Sequence, residues 1–264
     1  MDVEKTIKER VEAERKAHQE RDVLAESYRL KDLFSHVKNY PSKLRLENLL
    51  YSYTKDLSGK TILDYGCGRG EASLKYLASG GTVFGIDIAE NYIEAALASA
   101  NNTKYSTNSY TFKVMDAHDL QFDNNCFDFV VGNGILHHLN ADKALSEIFR
   151  VLKPGGRVLM YEPLAGNPLL KIFRIFTPNA RTDDERPFTA SDIANFCDDK
   201  KWHSEVAYCG IIEAPVAAIT SVLMRNRPDN WFLKVGDKIE SWVHKKGFLN
   251  SWNQYILFNL VKKS

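Results

Sequence analysis

The run Leu63-Asp64-Tyr65-Gly66-Cys67-Gly68-Arg69-Gly70 places a carboxylate just ahead of glycines at every second position, directly after β-forming residues. Glycines so spaced let the backbone approach a ligand, and a glycine-rich turn that opens a helix suits a nucleotide-like molecule. Glycine spacing alone is common; Asp64 narrows the chemistry. Beside a pyrophosphate its carboxylate would repel the ligand, whereas an ammonium or sulfonium would be attracted. A ligand cationic on that side is expected. Asp87, in Gly85-Ile86-Asp87-Ile88, can accept hydrogen bonds from both hydroxyls of a ribose. Asp116, in Met115-Asp116-Ala117, can receive the exocyclic amine of adenine, with Ile88 and Met115 on the two sides of the ring. Acids at strand ends also cap helices, so any one of the three has a structural reading. Three at successive strand ends favour an adenosine-bearing cation.

Acid–base groups come next. His137 and His138 follow a fourth β-rich run, and Glu162 ends a fifth, so adjacent strand edges can bring a histidine and an orienting carboxylate together. The alternative, one histidine packed under its loop and the other in a structural hydrogen bond, stays open. Cys67, Cys126, Cys197 and Cys209 are irregularly spaced, without the pairs that hold zinc or the framework of a disulfide scaffold. Cys126 begins its strand and so lies at the wrong sheet edge for a nucleophile. Asp183-Asp184-Glu185 sits between Arg181 and Arg186, which reads as an ion-paired, solvated loop. No metal is expected.

The elements that must position these groups are legible from Lys60 onward. TILDYG, TVFGID, YTFKVMD, FDFVVGN and GRVLMYEP are short β-rich runs separated by stretches with apolar residues at helical spacing, the alternation of βαβ units. Parallel strands need long, right-handed crossovers that cover both faces, so the core is an α/β, doubly wound, mostly parallel sheet. Further strands are expected near 204–209 and 254–261. Asn140 and Thr189 are expected helix caps, Ser42 caps a helix through Tyr53, and Lys153-Pro154-Gly155-Gly156 ends a helix before the fifth strand. The division expected is a helical lid over 1–55 and a main domain over 56–264, with a cap inserted at about 163–188 and a helical insertion at about 210–250. Among 264 residues, 44% are hydrophobic and 26% charged, with a net charge of +1. That balance excludes disorder and a global field that would steer the chain onto nucleic acid. The charged N-terminal segment lacks the apolar core of a signal peptide, and the apolar run 211–224 is too short for about 30 Å of hydrocarbon. A cytoplasmic location is expected.

Over about 60–162 these motifs resemble the class I S-adenosylmethionine-dependent methyltransferases, in the branch that includes small-molecule and ubiquinone-type enzymes. The resemblance implies a seven-stranded, Rossmann-like methyltransferase fold with N-terminal helices and an α-helical cap. It implies S-adenosyl-L-methionine as cofactor, with the methionine portion at Asp64, Gly66, Cys67 and Gly68, ribose at Asp87, and adenine at Asp116 with Ala117. Asp128-Phe129-Val130-Val131-Gly132-Asn133-Gly134-Ile135-Leu136-His137-His138-Leu139 looks like the family's fourth-strand motif, which puts Asn133 at the cofactor. Ala25-Glu26-Ser27-Tyr28 is similar to an A-x-x-Y element whose tyrosine closes over the cofactor. In some members of the branch the histidine of the fourth-strand motif and an acid ending the fifth strand act as base, which maps to His137 or His138 with Glu162.

A fourth-strand N/D-P-P-Y/F, which nucleic-acid amino methyltransferases use to clamp an amine, is absent; Val131-Gly132-Asn133-Gly134 stands there. The expected function is methyl transfer to a small or lipid-linked acceptor, at oxygen before nitrogen or carbon. An RNA or protein methyltransferase and a cofactor-binding module without catalysis are the alternatives. The C-terminal region mixes Trp231, Phe232, Trp242, Phe248 and Trp252 with Lys234, Lys238, Lys245 and Lys246. It reads first as helices packing a core, then as a surface for peripheral membrane contact, and last as an RNA surface.

Overall fold

The computed structural model describes residues 7, 9, 11–16, 34–164, 166–170, 188–197, 200–247 and 249–263. Tyr28, most of the expected cap and the Asp183-Asp184-Glu185 loop lie outside them. Residues 11–16 are helical, followed in the described chain by α1 (Pro41–Thr54). The core then runs β1 (Thr61–Tyr65), α2 (Glu71–Ala78), β2 (Thr82–Asp87), α3 (Glu90–Asn101), β3 (Tyr110–Val114), β4 (Phe127–Asn133), α4 (Ala141–Val151) and β5 (Leu152–Pro163). After it come α5 (Ala190–Phe196), β6 (Trp202–Cys209), α6 (Glu213–Leu223), α7 (Trp231–Lys246) and β7 (Tyr255–Lys262).

The seven strands form one sheet in the order β3-β2-β1-β4-β5-β7-β6. β1 to β5 pair in parallel, while β7 slots antiparallel between β5 and β6. The chain reverses its winding direction at β1 and β4, and the C-terminal crevice there is where open α/β sheets bind ligands. Period-two alternation splits the core between the two faces. Leu63, Val130 and Val158 pack into one cluster with Ile148 of α4, and Ile62, Val131 and Leu159 into another with Ile93 and Ala96 of α3. A third cluster joins Tyr40, Leu46, Cys209, Ala214, Ala217 and Leu233, binding α1 to the helices between β6 and β7.

Local chemistry departs from the sequence expectation in three places. Ser42 does not cap α1: Pro41 occupies the first turn, where its missing N–H costs nothing, and the Ser42 amide donates to Glu213 Oε2 at 2.7 Å. β5 begins at Leu152, so Lys153-Pro154-Gly155-Gly156 lies within the strand across a register shift against β4, with no gap between α4 and β5. β3 ends at Val114, which leaves Asp116 in the following loop. Asn140 does cap α4 by accepting from the Lys143 amide, and Thr189 closes a capping box with Asp192.

Candidate active site

The turn after β1 holds Gly66, Gly68 and Gly70 at φ of 74°, 52° and 81°. A side chain at Gly66 would also sit 2.7 Å from Ile135, so the turn needs glycine for space as well as for conformation. Asp64, one residue before the end of β1, is buried, and its Oδ2 accepts the hydroxyl of Ser73 from α2. The Ser73 backbone amide also hydrogen-bonds this carboxylate. Burial pushes the Asp64 carboxyl up to about 7; the Ser73 hydrogen bonds oppose that rise and the nearby Asp87 charge adds to it. A desolvated carboxylate at a glycine turn is suited to a cation. Cys67 serves the turn through its backbone: its amide donates to Ile86 O at 2.8 Å, and its thiol packs in the core beneath, where burial holds it far from thiolate.

Asp87 ends β2 and ties it to the turn. Its Oδ2 accepts the Gly68 amide at 2.9 Å and its Oδ1 the Ala89 amide at 3.0 Å. Both oxygens thus take part in orienting the carboxylate at the turn. Ile88 is half-buried and Met115 buried, in the loops that follow β2 and β3. Asp116 Oδ1 accepts from both the amide and Nδ1 of His118, at 2.8 Å each. Burial alone would raise the Asp116 pKa; the His118 hydrogen bonds outweigh it and hold the carboxylate below its usual range. His118 Nε2 in turn accepts the Asn140 amide at 2.9 Å, which joins the loop after β3 to the loop after β4. The Ala117 carbonyl accepts the hydroxyl of Tyr65. These groups line the C-terminal ends of β1, β2 and β3 in succession. The donor set fits an adenosine bearing a cation: a buried carboxylate for charge, an oriented carboxylate for a diol, and an ionised acid for an amine.

Asn133 ends β4 and is exposed, next to Gly134, whose amide donates to Tyr161 O on β5. The Leu136–His138 turn follows and folds over Glu162. Glu162 is fully buried, and its Oε1 accepts the amides of Ile135 and Leu136 at 3.0 Å each. Its Oε2 lies 2.8 Å from His137 Nδ1. A carboxylate only accepts, so Nδ1 carries the proton and Nε2 is the basic nitrogen, with no hydrogen bond among the described residues. The two histidines therefore part company. His138 Nδ1 lies 3.2 Å from Glu14 Oε1 of the N-terminal helical segment, while the imidazole rings sit 4.0 Å apart.

A family model described as a methyltransferase domain matches residues 63–160. The match makes residues 63–160 similar to a methyltransferase domain, over less than half of the chain. The chain is 37% identical over 123 residues to the demethylmenaquinone methyltransferase of Lactococcus lactis, a match covering 45% of this chain and 47% of that protein. It is 32% identical over 157 residues to the demethylmenaquinone methyltransferase of Symbiobacterium thermophilum, covering 58% and 60%. The chain thus spans about half to three-fifths of the length of these relatives. In fold it is similar to phosphoethanolamine N-methyltransferase 2 of Haemonchus contortus, with a TM-score of 0.59 at 21% identity over 81% of this chain and 51% of that one. The [4+2]-cyclase SpnF has the same fold, with a TM-score of 0.57 at 22% identity over 83% of this chain and 81% of that one. The shared sheet places the methyltransferase domain structurally; its chemistry rests on the site residues.

Sequence reasoning passed over three residues that organise this site. Ser73 holds Asp64, His118 orients Asp116, and Glu14 engages His138. Only His118 left a local signal, two residues beyond a strand-end acid. Ser73 and Glu14 meet their partners through tertiary placement.

Proposed function

We propose that this chain transfers a methyl group from S-adenosyl-L-methionine to an oxygen of a small, lipid-like acceptor, with His137 as general base. The Glu162–His137 pair carries the reading. Glu162 is pinned by two backbone amides, so its second oxygen is committed to Nδ1 and Nε2 is left to take a proton. A hydroxyl acceptor must lose its proton, whereas an unprotonated amine needs no base. Asp64 would hold the ammonium side of the cofactor and Asp87 its ribose hydroxyls. Asp116 and Ala117 would meet the adenine edge, with Ile88 and Met115 against its faces. Gly66, Cys67 and Gly68 would shape the turn beneath, and Asn133 would border the cofactor. When bound, the cofactor supplies an electrophilic methyl group on a positively charged sulfur. His138, engaged by Glu14, would anchor the N-terminal segment beside the cleft instead of moving protons.

Relatives named for demethylmenaquinone and for 2-phytyl-1,4-naphtoquinone support a quinone-like ring as the acceptor class, which offers the hydroxyl that the base argument needs in its reduced, quinol form. The test incubates the protein with isotopically labelled cofactor and metabolite or lipid extracts, and finds the labelled product by mass spectrometry. Label on an oxygen of a lipid-soluble product is expected. His137→Ala should leave cofactor affinity intact and lower turnover by about 10²–10⁴-fold, the usual worth of a positioned base. Turnover unchanged at every pH would remove the base, and labelled RNA or protein would replace the acceptor class.

A further inference from the structure

α7 sorts its side chains into two arcs. Leu233, Gly236, Glu240 and Val243 are buried and share one side at 100° per residue. Trp231, Val235, Ile239 and Trp242 share the other and are exposed, the two tryptophans at 61% and 56%. Both ends of the helix are fixed, by the Asn230 side chain accepting the Leu233 amide and by Gly247 in the left-handed conformation, so the arcs do not rotate. α6 adds Ile219, Val222 and Leu223, the last 75% exposed. A helix that serves only as packing keeps its apolar residues inward, so the outward apolar arcs of these two neighbouring helices ask for an occupant.

The charges around the face say which one. Lys234, Lys238 and Lys245 follow one flank of the apolar arc of α7, and Lys246 stands at its C-terminal end. The acids of α7 are turned away: Glu240 is buried and accepts the amides of Gly210, Ile212 and Glu213, and Asp237 binds Arg45 of α1. Asp229 pairs with Lys234 at 3.0 Å, outside the helix. Tryptophans beside lysines on an amphipathic helix match the boundary between headgroups and acyl chains of an anionic bilayer. RNA would use the aromatic rings and leave the aliphatic residues of α6 and α7 without a role. A second copy packed antiparallel through this face would bring lysine rows against lysine rows.

The helices that carry the face are also tied to the functional edge of the sheet. Tyr255 of β7 pairs with both Cys209 of β6 and Pro163 of β5, one residue beyond Glu162, so α6 and α7 rise from the edge that carries His137. We propose that the outward face of α6 and α7 docks the protein on an anionic lipid bilayer, with Trp231 and Trp242 at the headgroup level. Docking stands on this surface and does not depend on which molecule is methylated.

The test is flotation of the full chain with vesicles of phosphatidylcholine alone and of phosphatidylcholine mixed with phosphatidylglycerol. Binding is expected to the mixed vesicles and to fall with added salt. Trp231→Ser with Trp242→Ser should weaken it by about tenfold or more, and Lys234→Glu with Lys238→Glu should abolish the preference for anionic lipid. Because all four side chains lie at the surface, far-ultraviolet circular dichroism melts and calorimetric titration with the cofactor should match the unsubstituted protein. Absence of vesicle binding, or equal binding by the double tryptophan variant, would overturn the proposal. So would a dimer in light scattering that the tryptophan variant dissociates, or RNA binding in place of vesicle binding. Failure to bind the cofactor with vesicle binding intact would instead remove the methyltransferase reading and leave docking in place.

Discussion

Asp64 sits where folding and ligand binding make opposite demands. A carboxyl whose folded pKa is raised from 3.8 to about 7 gives stability that is fully present below the unfolded value and lost as pH rises through 7. At 1.36 kcal/mol per pKa unit, keeping it ionised in the unliganded fold costs on the order of 4 kcal/mol above neutrality. Asp64→Asn should therefore raise the melting temperature at pH 8, by a margin that shrinks toward pH 5, while weakening cofactor binding. A melting temperature at pH 8 that is unchanged or lower would remove that account. A cationic ligand pulls the group back toward carboxylate, so binding at pH 6 should release most of one proton and affinity should climb from pH 5 to 7. Calorimetry in buffers of different ionisation enthalpy counts that proton. Asp87 poses a different case, because its oxygens already orient the glycine turn. Asp87→Ala should weaken cofactor binding by about 1.5–3 kcal/mol, the worth of hydrogen bonds to a charged group; unchanged calorimetric affinity would remove the ribose assignment.

At the scale of elements, the turn between β1 and α2 is the most demanding piece of backbone. Gly66→Ala would hold alanine at positive φ and press its Cβ against Ile135. The backbone strain alone should cost about 1–2 kcal/mol, read as a lower denaturant midpoint, together with weaker cofactor binding. The glycine and acid pattern made this turn readable because only a close approach calls for both at once. The β-rich runs from Thr61 to Pro163 were readable for a related reason: buried parallel strands cannot avoid apolar residues. Boundaries set by local bonding were harder. Ser42 has the composition of a cap, yet Pro41 takes the first turn and Glu213, far away in sequence, supplies the acceptor. Lys153-Pro154-Gly155-Gly156 has the composition of a break, yet β5 continues through it. The separation of His137 from His138 was equally hidden, since both follow the same strand and only Glu162 and Glu14 tell them apart.

Across the whole molecule, two buried acids make stability depend on pH in the same direction. Glu213 is fully buried, its Oε2 on the Ser42 amide, and burial pushes its carboxyl up to about 7, with the Ser42 hydrogen bonds opposing and Glu240 and Asp237 adding. Since Asp64 shifts the same way, the melting temperature of the unliganded protein should fall as pH rises from about 4.5 to 7 and level off above that. Saturating cofactor should flatten the part of that fall due to Asp64 and leave the part due to Glu213. Among the described residues no helix is long and apolar enough to cross a membrane. The order of the strands carries a separate consequence. β7 comes after β6 in the chain yet lies between β6 and β5. During synthesis, then, a nascent chain can zip β1 to β5 together as each leaves the ribosome, but β6 must wait unpaired, with α6 and α7 already made, until residues 255–262 arrive. A ribosome stalled before Tyr255 would display a finished cofactor half beside a loose, sticky remainder, the species a chaperone would be expected to hold.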